Sequence, residues 1–348
     1  MSHLDFTDAE LIQLITHHVG NKSRDENYRL STETTEVSED TQGLLMKYFL
    51  QSVRPEEFYC FNKTAEPEQE TLCSMIENLF NNPDSFITFS QEVAKLLYEL
   101  SVHPKIDEGE LNIAHFANIA LDGEVVEAIG LFKSETDAPF LQMKNADNRF
   151  VIKHGYGFEI KALDKGCIIF NTDKENGYKI LILDNAGLST ESRYWKQEFL
   201  NATPVANEFH QTKQFMGIAK DFVTKHLSKD PEIAKSDKID LLNRSVDYFK
   251  THETFDKLEF TDDVFQDEGV KKAFHAYDKI YREENNIDPM DNFDISPLAV
   301  KKQAKIFKSV LKLDKNFHIY IHGDSELIQQ GIDTDGRKFY KIYFNQES

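Results

Sequence analysis

The stretch Leu163–Leu200, with the sequence LDKGCIIFNTDKENGYKILILDNAGLSTESRYWKQEFL, decides the fold class of this chain. Two apolar runs rich in β-branched residues, Cys167–Phe170 and Ile180–Leu183, lie on either side of the polar segment Asn171–Gly177. Short apolar runs joined by a connection that contains glycine are typical of a β-hairpin. The stretch therefore predicts two antiparallel strands at the core of a sheet, and we interpret the hairpin as scaffold.

The only tryptophan, Trp195, follows this hairpin and lies between Tyr194 and Lys196. An indole beside cations can stack on a nucleic-acid base. Phe199 and Leu200 follow closely, however, and large aromatic side chains in such surroundings usually pack in a core. Core packing is therefore the favoured interpretation of Trp195.

Strand-like runs also precede the hairpin, from Glu110 onwards, and are joined by short connections that contain glycine. The predicted strands are Leu111–Ala120, Val125–Phe132, Phe140–Met143, Phe150–Ile152 and Phe158–Ile160. Because no helical segment separates these strands, they favour an antiparallel meander over a parallel sheet.

Helical periodicity predominates on both sides of the strands. The predicted helices are Thr41–Ser52, Pro67–Phe80, Ser85–Leu100, Val205–Leu227, Asp237–His252 and Asp267–Asn285. Thr7 and Glu10 match a capping box and predict a further, N-terminal helix. That helix would bury Leu11, Leu14, Ile15 and Val19. Ser296-Pro297 combines an N-cap with a first-turn proline and predicts another helix start.

The chain ends with two more strand-like runs, Phe317–Ile321 and Phe339–Phe344, and turn residues at Asp333-Thr334-Asp335-Gly336 predict a C-terminal β-hairpin. The predicted fold is α+β, with a central antiparallel β-sheet flanked by N-terminal and C-terminal helical regions. Four regions are predicted: mainly helical 1–108, the antiparallel sheet 109–203, helical 204–295, and a basic helix plus β-hairpin over 296–348.

The composition describes an acidic chain that can bury a core. The 348 residues carry a formal net charge of −20 and 40% of them are apolar, which excludes a disordered chain. Acidic residues are concentrated in residues 1–100 and 251–295, whereas residues 296–348 carry an excess of lysine and arginine. This balance argues against binding nucleic acid or anionic membrane over the whole surface, and it leaves room for a local basic site.

The spacing of the cysteines and the sequence of the N-terminus predict the cellular compartment of the protein. Cys60, Cys73 and Cys167 lie far apart and no C-x-x-C pair occurs, so neither a zinc ribbon nor a disulfide framework is predicted. Free thiols are typical of a reducing cytosol. The sequence MSHLDFTDAE has acids where a signal peptide needs basic and then apolar residues, and no run approaches the ~18 apolar residues of a membrane span. We therefore expect a cytoplasmic protein without a membrane segment.

The clearest basic feature is a row of lysines in the C-terminal region. On a helix, one side would carry Lys301, Lys305, Lys308 and Lys312, within about 40° of one another. An apolar stripe would lie roughly 100° away and comprise Val300, Ala304, Phe307 and Leu311. The apolar stripe could dock while the lysines contact phosphates. A solvated helix face has the same pattern, and extended backbone over Ser309–Leu313 would divide the row.

Three further basic residues complete the predicted DNA-contacting set. Lys22 and Arg24 belong to a small basic loop in an acidic neighbourhood, and Lys133 lies near a predicted strand end. Phosphate groups are bound by just such cations when they are exposed.

Motifs for catalysis and for cofactors are weak. Asp147 and the later Glu159-Ile160-Lys161 resemble the acid and Glu-x-Lys arrangement of metal-dependent nucleases, in which carboxylates hold Mg²⁺ and the lysine polarises water. Exposed strand charges explain the same residues more simply. P-loop, Rossmann, nucleophile-elbow and zincin motifs are absent from the sequence. We predict no catalytic residues and no cofactor, and the nuclease remains an alternative.

The 12 histidines do not predict a metal site. His17 and His18 are adjacent and so cannot face the same way on a helix. His318 and His322 share one face of a predicted strand, but no third ligand lies nearby in the sequence. Polar residues on the outer face of a strand are the favoured interpretation, and no metal ligand is predicted.

Several stretches, in order along almost the whole chain, carry a family resemblance. They are His18-Val19-Gly20-Asn21-Lys22, Gly130-Leu131-Phe132-Lys133-Ser134-Glu135, Leu163-Asp164-Lys165-Gly166-Cys167, Leu183-Asp184-Asn185, Tyr194-Trp195-Lys196-Gln197-Glu198-Phe199-Leu200, Leu313-Asp314-Lys315-Asn316-Phe317 and Phe339-Tyr340-Lys341-Ile342. Together they resemble the bacterial nucleoid-associated protein family of the NdpA type. The resemblance implies association with the bacterial nucleoid and DNA binding. It brings neither a catalytic motif nor a set of DNA-contacting residues.

The sequence leaves three functions open. The leading hypothesis is a non-enzymatic nucleoid-associated protein that meets DNA through a localised basic surface or joins the nucleoid through a protein partner. The second is an acidic regulatory protein that acts on DNA-maintenance machinery, and the third is the Mg²⁺-dependent nuclease. The helical faces of residues 205–285 are compatible with a homodimer or with packing inside one chain.

Overall fold

A computed structural model describes residues 3–53, 55, 57–62, 71–135, 137–147, 149–184, 194–229, 233, 235–285, 287, 290–304, 307, 310–313, 317–320, 327–344 and 346. The chain forms two compact units, Met1–Val205 and Ala206–Ser348. In the described residues, no helix has the length and apolar character that crossing a bilayer requires.

The first unit is built on one antiparallel sheet. Its strands are β1 (Leu4–Asp5), β2 (Glu10–Val19), β3 (Tyr59–Phe61), β4 (Gly109–Leu121), β5 (Glu124–Ser134), β8 (Lys165–Phe170), β9 (Lys179–Asp184) and β10 (Ala202–Pro204). β1 and β2 both pair with β4, and the order then continues through β5, β8, β9, β3 and β10. The antiparallel pairing confirms the predicted sheet and the α+β class.

The predicted hairpin at residues 163–184 is confirmed as β8 and β9. Cys167 pairs with Ile182 and Ile169 with Ile180. Alternate residues of β8 enter two different cores: Cys167 and Ile169 pack in one, and Ile168 and Phe170 in the other. A strand that is covered on both faces needs apolar residues at every position. This explains why the sequence Cys167–Phe170 is apolar throughout and does not alternate with polar residues.

Three helices cover the two faces of the sheet. They are α1 (Glu39–Leu50), α2 (Leu72–Asn81) and α3 (Phe86–Leu100). α2 and α3 pack in the core that contains Ile169, and α1 places Tyr48 and Phe49 in the core that contains Ile168. The predictions for α1 and α3 are confirmed. Trp195 is fully buried beside Phe199 and donates a hydrogen bond to the carbonyl of Gly166 (3.4 Å), so the core interpretation is also confirmed.

The predicted N-terminal helix is wrong, because Glu10–Val19 is a β-strand paired with β4. Thr7 does not cap a helix: its N–H and hydroxyl both donate to Asp5 Oδ1, at 2.8 and 2.6 Å. In the strand, the neighbours Leu14 and Ile15 point to opposite faces and fill both cores. Burial on two faces overrides the local capping signal.

The strands of the first predicted region join those of the second. β1, β2 and β3 lie within residues 1–108, and they pair with β4 and β9 from residues 109–203. These two regions therefore share one sheet rather than forming a helical body and a sheet body.

β6 (Ala138–Ala146) and β7 (Arg149–Gly157) form a separate two-stranded sheet, here called the ribbon. Its register runs from Ala138 opposite Gly157 at the base to Ala146 opposite Arg149 at the tip. Most side chains on both of its faces are exposed. The predicted strand Phe158–Ile160 is wrong, since these residues follow β7 in a loop and turn.

The second unit contains helices packed around a cluster of phenylalanines. Its helices are α4 (Glu208–Asp221), α5 (Lys235–Thr251), α6 (Lys257–Phe265), α7 (Glu268–Asn285) and α8 (Pro297–Gln303), with a π-helical turn at Phe222–His226 and a small sheet of β11 (Thr254–Asp256) and β12 (Asn292–Asp294). The ring of Phe215 contacts those of Phe255, Phe260 and Phe274. The long helices predicted after residue 204 are thus confirmed, and α6 was missed.

The predicted C-terminal β-hairpin is confirmed, and a further hairpin precedes it. β13 (Val310–Leu313) pairs with β14 (Phe317–Tyr320), and β15 (Ile328–Ile332) pairs with β16 (Lys338–Ile342). The turn at residues 333–336 is confirmed as the connection of the second hairpin. The strand at Phe317 takes a partner only four residues away because a short hairpin costs little loop-closure entropy.

Candidate nucleic-acid interface

The loop of Lys22 and Arg24 is held in place and is neutralised by carboxylates. Asn21 donates hydrogen bonds to the carbonyls of His103 (2.8 Å) and Ile106 (2.6 Å). Lys22 forms an ion pair with Glu99, whose carboxylate raises the pKa of the lysine. Arg24 lies 3.0 Å from Glu26 and 3.3 Å from Asp107. Three carboxylates around two cations leave little positive potential for a phosphate.

Lys133 is completely buried, with 0% of its surface exposed. Its Nζ donates to the carbonyl of Asp107 (2.6 Å) and to Oε1 of Glu135 (2.8 Å), and Lys165 binds the other oxygen of Glu135. Burial lowers the pKa of Lys133. The prediction that this lysine meets DNA does not fit its position, because its ammonium group is enclosed by protein.

The row of tail lysines does not form one helical stripe. α8 ends at Gln303 and carries Lys301, which is exposed. Lys312 lies on β13 opposite His318, and Lys305 and Lys308 lie outside the described residues. Extended backbone over Val310–Leu313 divides the row, as strand geometry requires. His322 also lies outside the described residues.

The nuclease alternative is contradicted by the geometry of the ribbon. Asp147 lies in the turn at the tip, whereas Glu159 and Lys161 follow Gly157 at the base. Eight strand residues at about 3.3 Å each separate the two ends by roughly 26 Å, too far for one metal ion with ligands at about 2.1 Å. Across the described parts of the chain, no group of three or more histidine, cysteine or acidic side chains could hold a metal ion.

The histidine pair is explained by structural contacts. His17 is buried, its Nδ1 accepts a hydrogen bond from the N–H of Ser31 (3.0 Å), and its Nε2 lies 3.0 Å from the hydroxyl of Ser90. Burial lowers the pKa of His17 to about 4, so the ring is neutral at pH 7. His18 faces the other way and pairs with Glu108 (3.2 Å) and Glu110 (3.4 Å).

The ribbon carries a basic face that the sequence analysis did not identify. On this face lie Ala138, Phe140, Gln142, Lys144 and Ala146 from β6, and Arg149, Val151, Lys153, Gly155 and Gly157 from β7. Lys144 is opposite Val151, so Arg149 and Lys153 are its two diagonal neighbours, at roughly 7–8 Å between backbone positions. The basic face holds three cations and no carboxylate.

These three cations are available to a ligand. Lys144, Arg149 and Lys153 are all exposed, and none of them forms an ion pair with another described residue. They differ in this respect from Lys22, Arg24 and Lys133. An unpaired, exposed cluster of cations in a chain with a net charge of −20 concentrates positive potential at one place.

The opposite side of the ribbon is an apolar face. It carries Leu141 (70% exposed), Met143 (70%), Phe150 (75%), Ile152 (62%) and Tyr156 (66%), together with Pro139, Asn145 and His154. The alternation of strand side chains separates these residues from the cations. Part of the signal was present in the sequence, because Gln142 and Lys144 are two positions apart on β6 and Arg149 and Lys153 are four apart on β7, with Met143, Phe150 and Ile152 at the other parity.

The dimensions of the ribbon suit a nucleic-acid groove. Two strands lie about 4.8 Å apart, and the ribbon is roughly 26 Å long. The major groove of B-form DNA is about 12 Å wide and admits a two-stranded β-ribbon.

Comparison with known proteins identifies the family to which the chain belongs. A search of curated proteins found no match. A family model described as nucleoid-associated protein YejK matches residues 15–342 of the 348, which includes most of the sheet, the ribbon and most of the second unit. The chain therefore belongs to the nucleoid-associated protein YejK family.

Proposed function

We propose that this nucleoid-associated protein binds duplex DNA directly, through the basic face of the ribbon, and acts without catalysis. The observation that carries the proposal is the set of three exposed cations on one face of a two-stranded sheet, none of which forms an ion pair with another described residue. Phosphate contacts from lysine and arginine supply most of the affinity of sequence-independent DNA binding. Base edges are not needed for such binding, so this surface predicts little sequence preference.

The localised basic face reconciles DNA binding with the charge of the chain. A protein with a net charge of −20 repels DNA over most of its surface, and repulsion between like charges is screened beyond about 10 Å at moderate salt. The three cations of the ribbon form one exposed patch, on a face without carboxylates.

The tail lysines remain candidates for a secondary contact. Lys301 is exposed on α8, and we assign Lys305, Lys308 and Lys312 to the same proposal because they follow it in a segment without acids. Replacing Lys301 alone with glutamate is expected to weaken binding less than any ribbon substitution.

The test is a titration of a labelled duplex of about 30 base pairs with the full chain, by fluorescence anisotropy, between about 50 and 200 mM salt. The variant Lys144→Glu/Arg149→Glu/Lys153→Glu should lose an order of magnitude or more in affinity and reduce the slope of log K against log salt by roughly 2 to 3. The matched control is Lys47→Glu/Lys95→Glu/Lys105→Glu, which changes the net charge equally at three exposed lysines on or after the sheet-covering helices.

Equal loss in both variants would mean that only net charge matters and would overturn the proposal. Binding that does not change with salt would also contradict it, because counterion release would then be absent. If the wild-type chain does not bind the duplex but co-purifies with nucleoid proteins after nuclease treatment, the nucleoid association runs through a protein partner of the DNA-maintenance machinery.

A further inference from the structure

The ribbon is longer and more open than an isolated hairpin can usually sustain. Nine residue pairs are in register from base to tip, yet in the described part of the chain no third strand pairs with β6 or β7. A two-stranded hairpin alone is marginally stable in water, and it needs a third strand or a packed face. The ribbon therefore calls for a surface that covers one of its faces.

The apolar face is the one that needs cover. Its five large side chains are each between 62% and 75% exposed, and side chains of this size bury roughly 100 to 150 Å² apiece when such a fraction is removed from water. Together they make up roughly 600 Å² per chain. Contiguous exposed apolar patches of this size on soluble proteins mark interaction sites.

We propose that the apolar face is covered by the same face of a second copy of this chain, so that two ribbons pack face to face. Two copies would bury roughly 1,200 Å² in total, which is the lower limit for a specific and stable protein interface. The inference does not depend on DNA binding, because the basic face is on the other side of each ribbon.

The arrangement of side chains on the apolar face is self-complementary. From base to tip, the paired positions are Pro139 with Tyr156, Leu141 with His154, Met143 with Ile152, and Asn145 with Phe150. One aromatic ring thus lies near each end, with aliphatic side chains between. A two-fold axis that packs two ribbons antiparallel brings Tyr156 of one copy to Phe150 of the other, and it leaves the aliphatic residues together at the centre. Isologous contacts of this kind are the commonest in homodimers.

The charges favour a second copy over other occupants. The apolar face carries no lysine, arginine or acid, so it offers no contact for phosphate groups and no partner for a charged protein surface. An anionic membrane would meet a chain with a net charge of −20. Two identical uncharged faces meet without repulsion, and the two basic faces then lie on opposite sides of a double layer.

The first test measures the mass of the full chain by light scattering and sedimentation velocity. We expect twice the chain mass of 40.3 kDa at concentrations above about 10 µM, the affinity range of a small interface. The variant Met143→Glu/Ile152→Glu places two carboxylates at the centre of the contact and should raise the dimer dissociation constant by at least about 100-fold. Circular dichroism checks that its fold is retained, and Lys144→Glu/Lys153→Glu on the basic face is the matched control that should remain dimeric.

The second test fixes the orientation of the ribbons. Phe150→Cys and Tyr156→Cys are made as separate variants and mixed under mild oxidation, with the wild-type chain and its own cysteines as the background. Antiparallel packing predicts a cross-linked dimer in the mixture and much less in either variant alone. A monomeric wild type at the highest concentration, or a dimer that persists in Met143→Glu/Ile152→Glu, would overturn the inference; cross-links of Phe150→Cys to itself would overturn the antiparallel arrangement.

Discussion

The β8–β9 hairpin and the ribbon are both antiparallel pairs of apolar strands, but one is covered on both faces and the other on neither. In β8, Ile168 and Ile169 are both fully buried although they point in opposite directions. In the ribbon, Met143 and Ile152 are mostly exposed. The difference shows that apolar strands in this chain serve two purposes, since one pair holds the sheet together and the other presents surface.

The buried charges beside β8 should give the largest effect. Lys133 and Lys165 share the single carboxylate of Glu135, so Glu135→Gln leaves two buried cations without their counter-ion. We expect it to lower the free energy of unfolding by about 3 to 5 kcal/mol in urea denaturation.

Lys133→Met is the informative control for this cluster. It removes one of the two cations and leaves Glu135 paired with Lys165, so its cost should stay within about 1 kcal/mol. Arg149→Ala on the ribbon should change stability even less. If Lys133→Met destabilised the chain as much as Glu135→Gln, the balance of charge in this cluster would not be what stabilises it.

Truncation of matched isoleucines compares the two strand pairs directly. Ile169→Ala creates a cavity in the core that also contains Trp195 and should cost about 3 kcal/mol. Ile152→Ala, on the apolar face, should cost less than about 0.5 kcal/mol when the chain is dilute. Urea midpoints of both variants, measured below about 1 µM to avoid association, check the prediction; equal costs would show that the ribbon is covered within one chain.

The pH dependence of stability should follow His17, a buried histidine of the sheet. Burial lowers the pKa of His17 to about 4 in the folded chain, from 6.5, so the unfolded chain binds the proton first as the pH falls. The stabilising contribution of the neutral ring is complete above pH 6.5 and is lost between about pH 6.5 and 4, by about 3 kcal/mol.

One variant isolates this contribution. His17→Asn should flatten the slope of unfolding free energy against pH in that window. The physical reason for the loss is burial, which disfavours the charged ring, and protonation would also place a hydrogen on Nδ1, which accepts the N–H of Ser31. An unchanged slope in His17→Asn would assign the pH dependence to other groups.

Several parts of the fold follow from local patterns. The β8–β9 hairpin, α1, α3 and the turn at residues 333–336 are specified by nearby residues, so periodicity and turn chemistry predict them. Glu10–Val19 is different, because its state depends on pairing with β4 about 100 residues later. A capping box is worth about 1 kcal/mol, whereas two-sided burial of Leu14, Ile15 and Val19 is worth several times more.

The candidate interface was less predictable than the fold. Lysine is a residue type that is usually exposed, and nothing near Lys133 in the sequence indicates burial. Only the folded structure shows that Glu135 and Asp107 enclose its ammonium group. The spacing of the tail lysines is typical of one helix face, but α8 ends at Gln303. The ribbon strands were predicted as parts of the sheet, and nothing local tells an outlying strand from a central one. Which strands neighbour β6 and β7 is decided by the rest of the chain.

The ribbon also has two open edges in the described part of the chain, because each of its strands has only one neighbour. Unpaired edge N–H and C=O groups can template a further strand, which makes such edges prone to aggregation. Pro139 removes one donor from β6, and Lys144 and Lys153 place charges that two adjoining copies would have to bring together. The same two lysines that we propose as DNA contacts therefore also protect the protein from edge-to-edge polymerisation. Replacing them with uncharged residues that favour β-strands should lower the solubility of the protein and promote fibre formation.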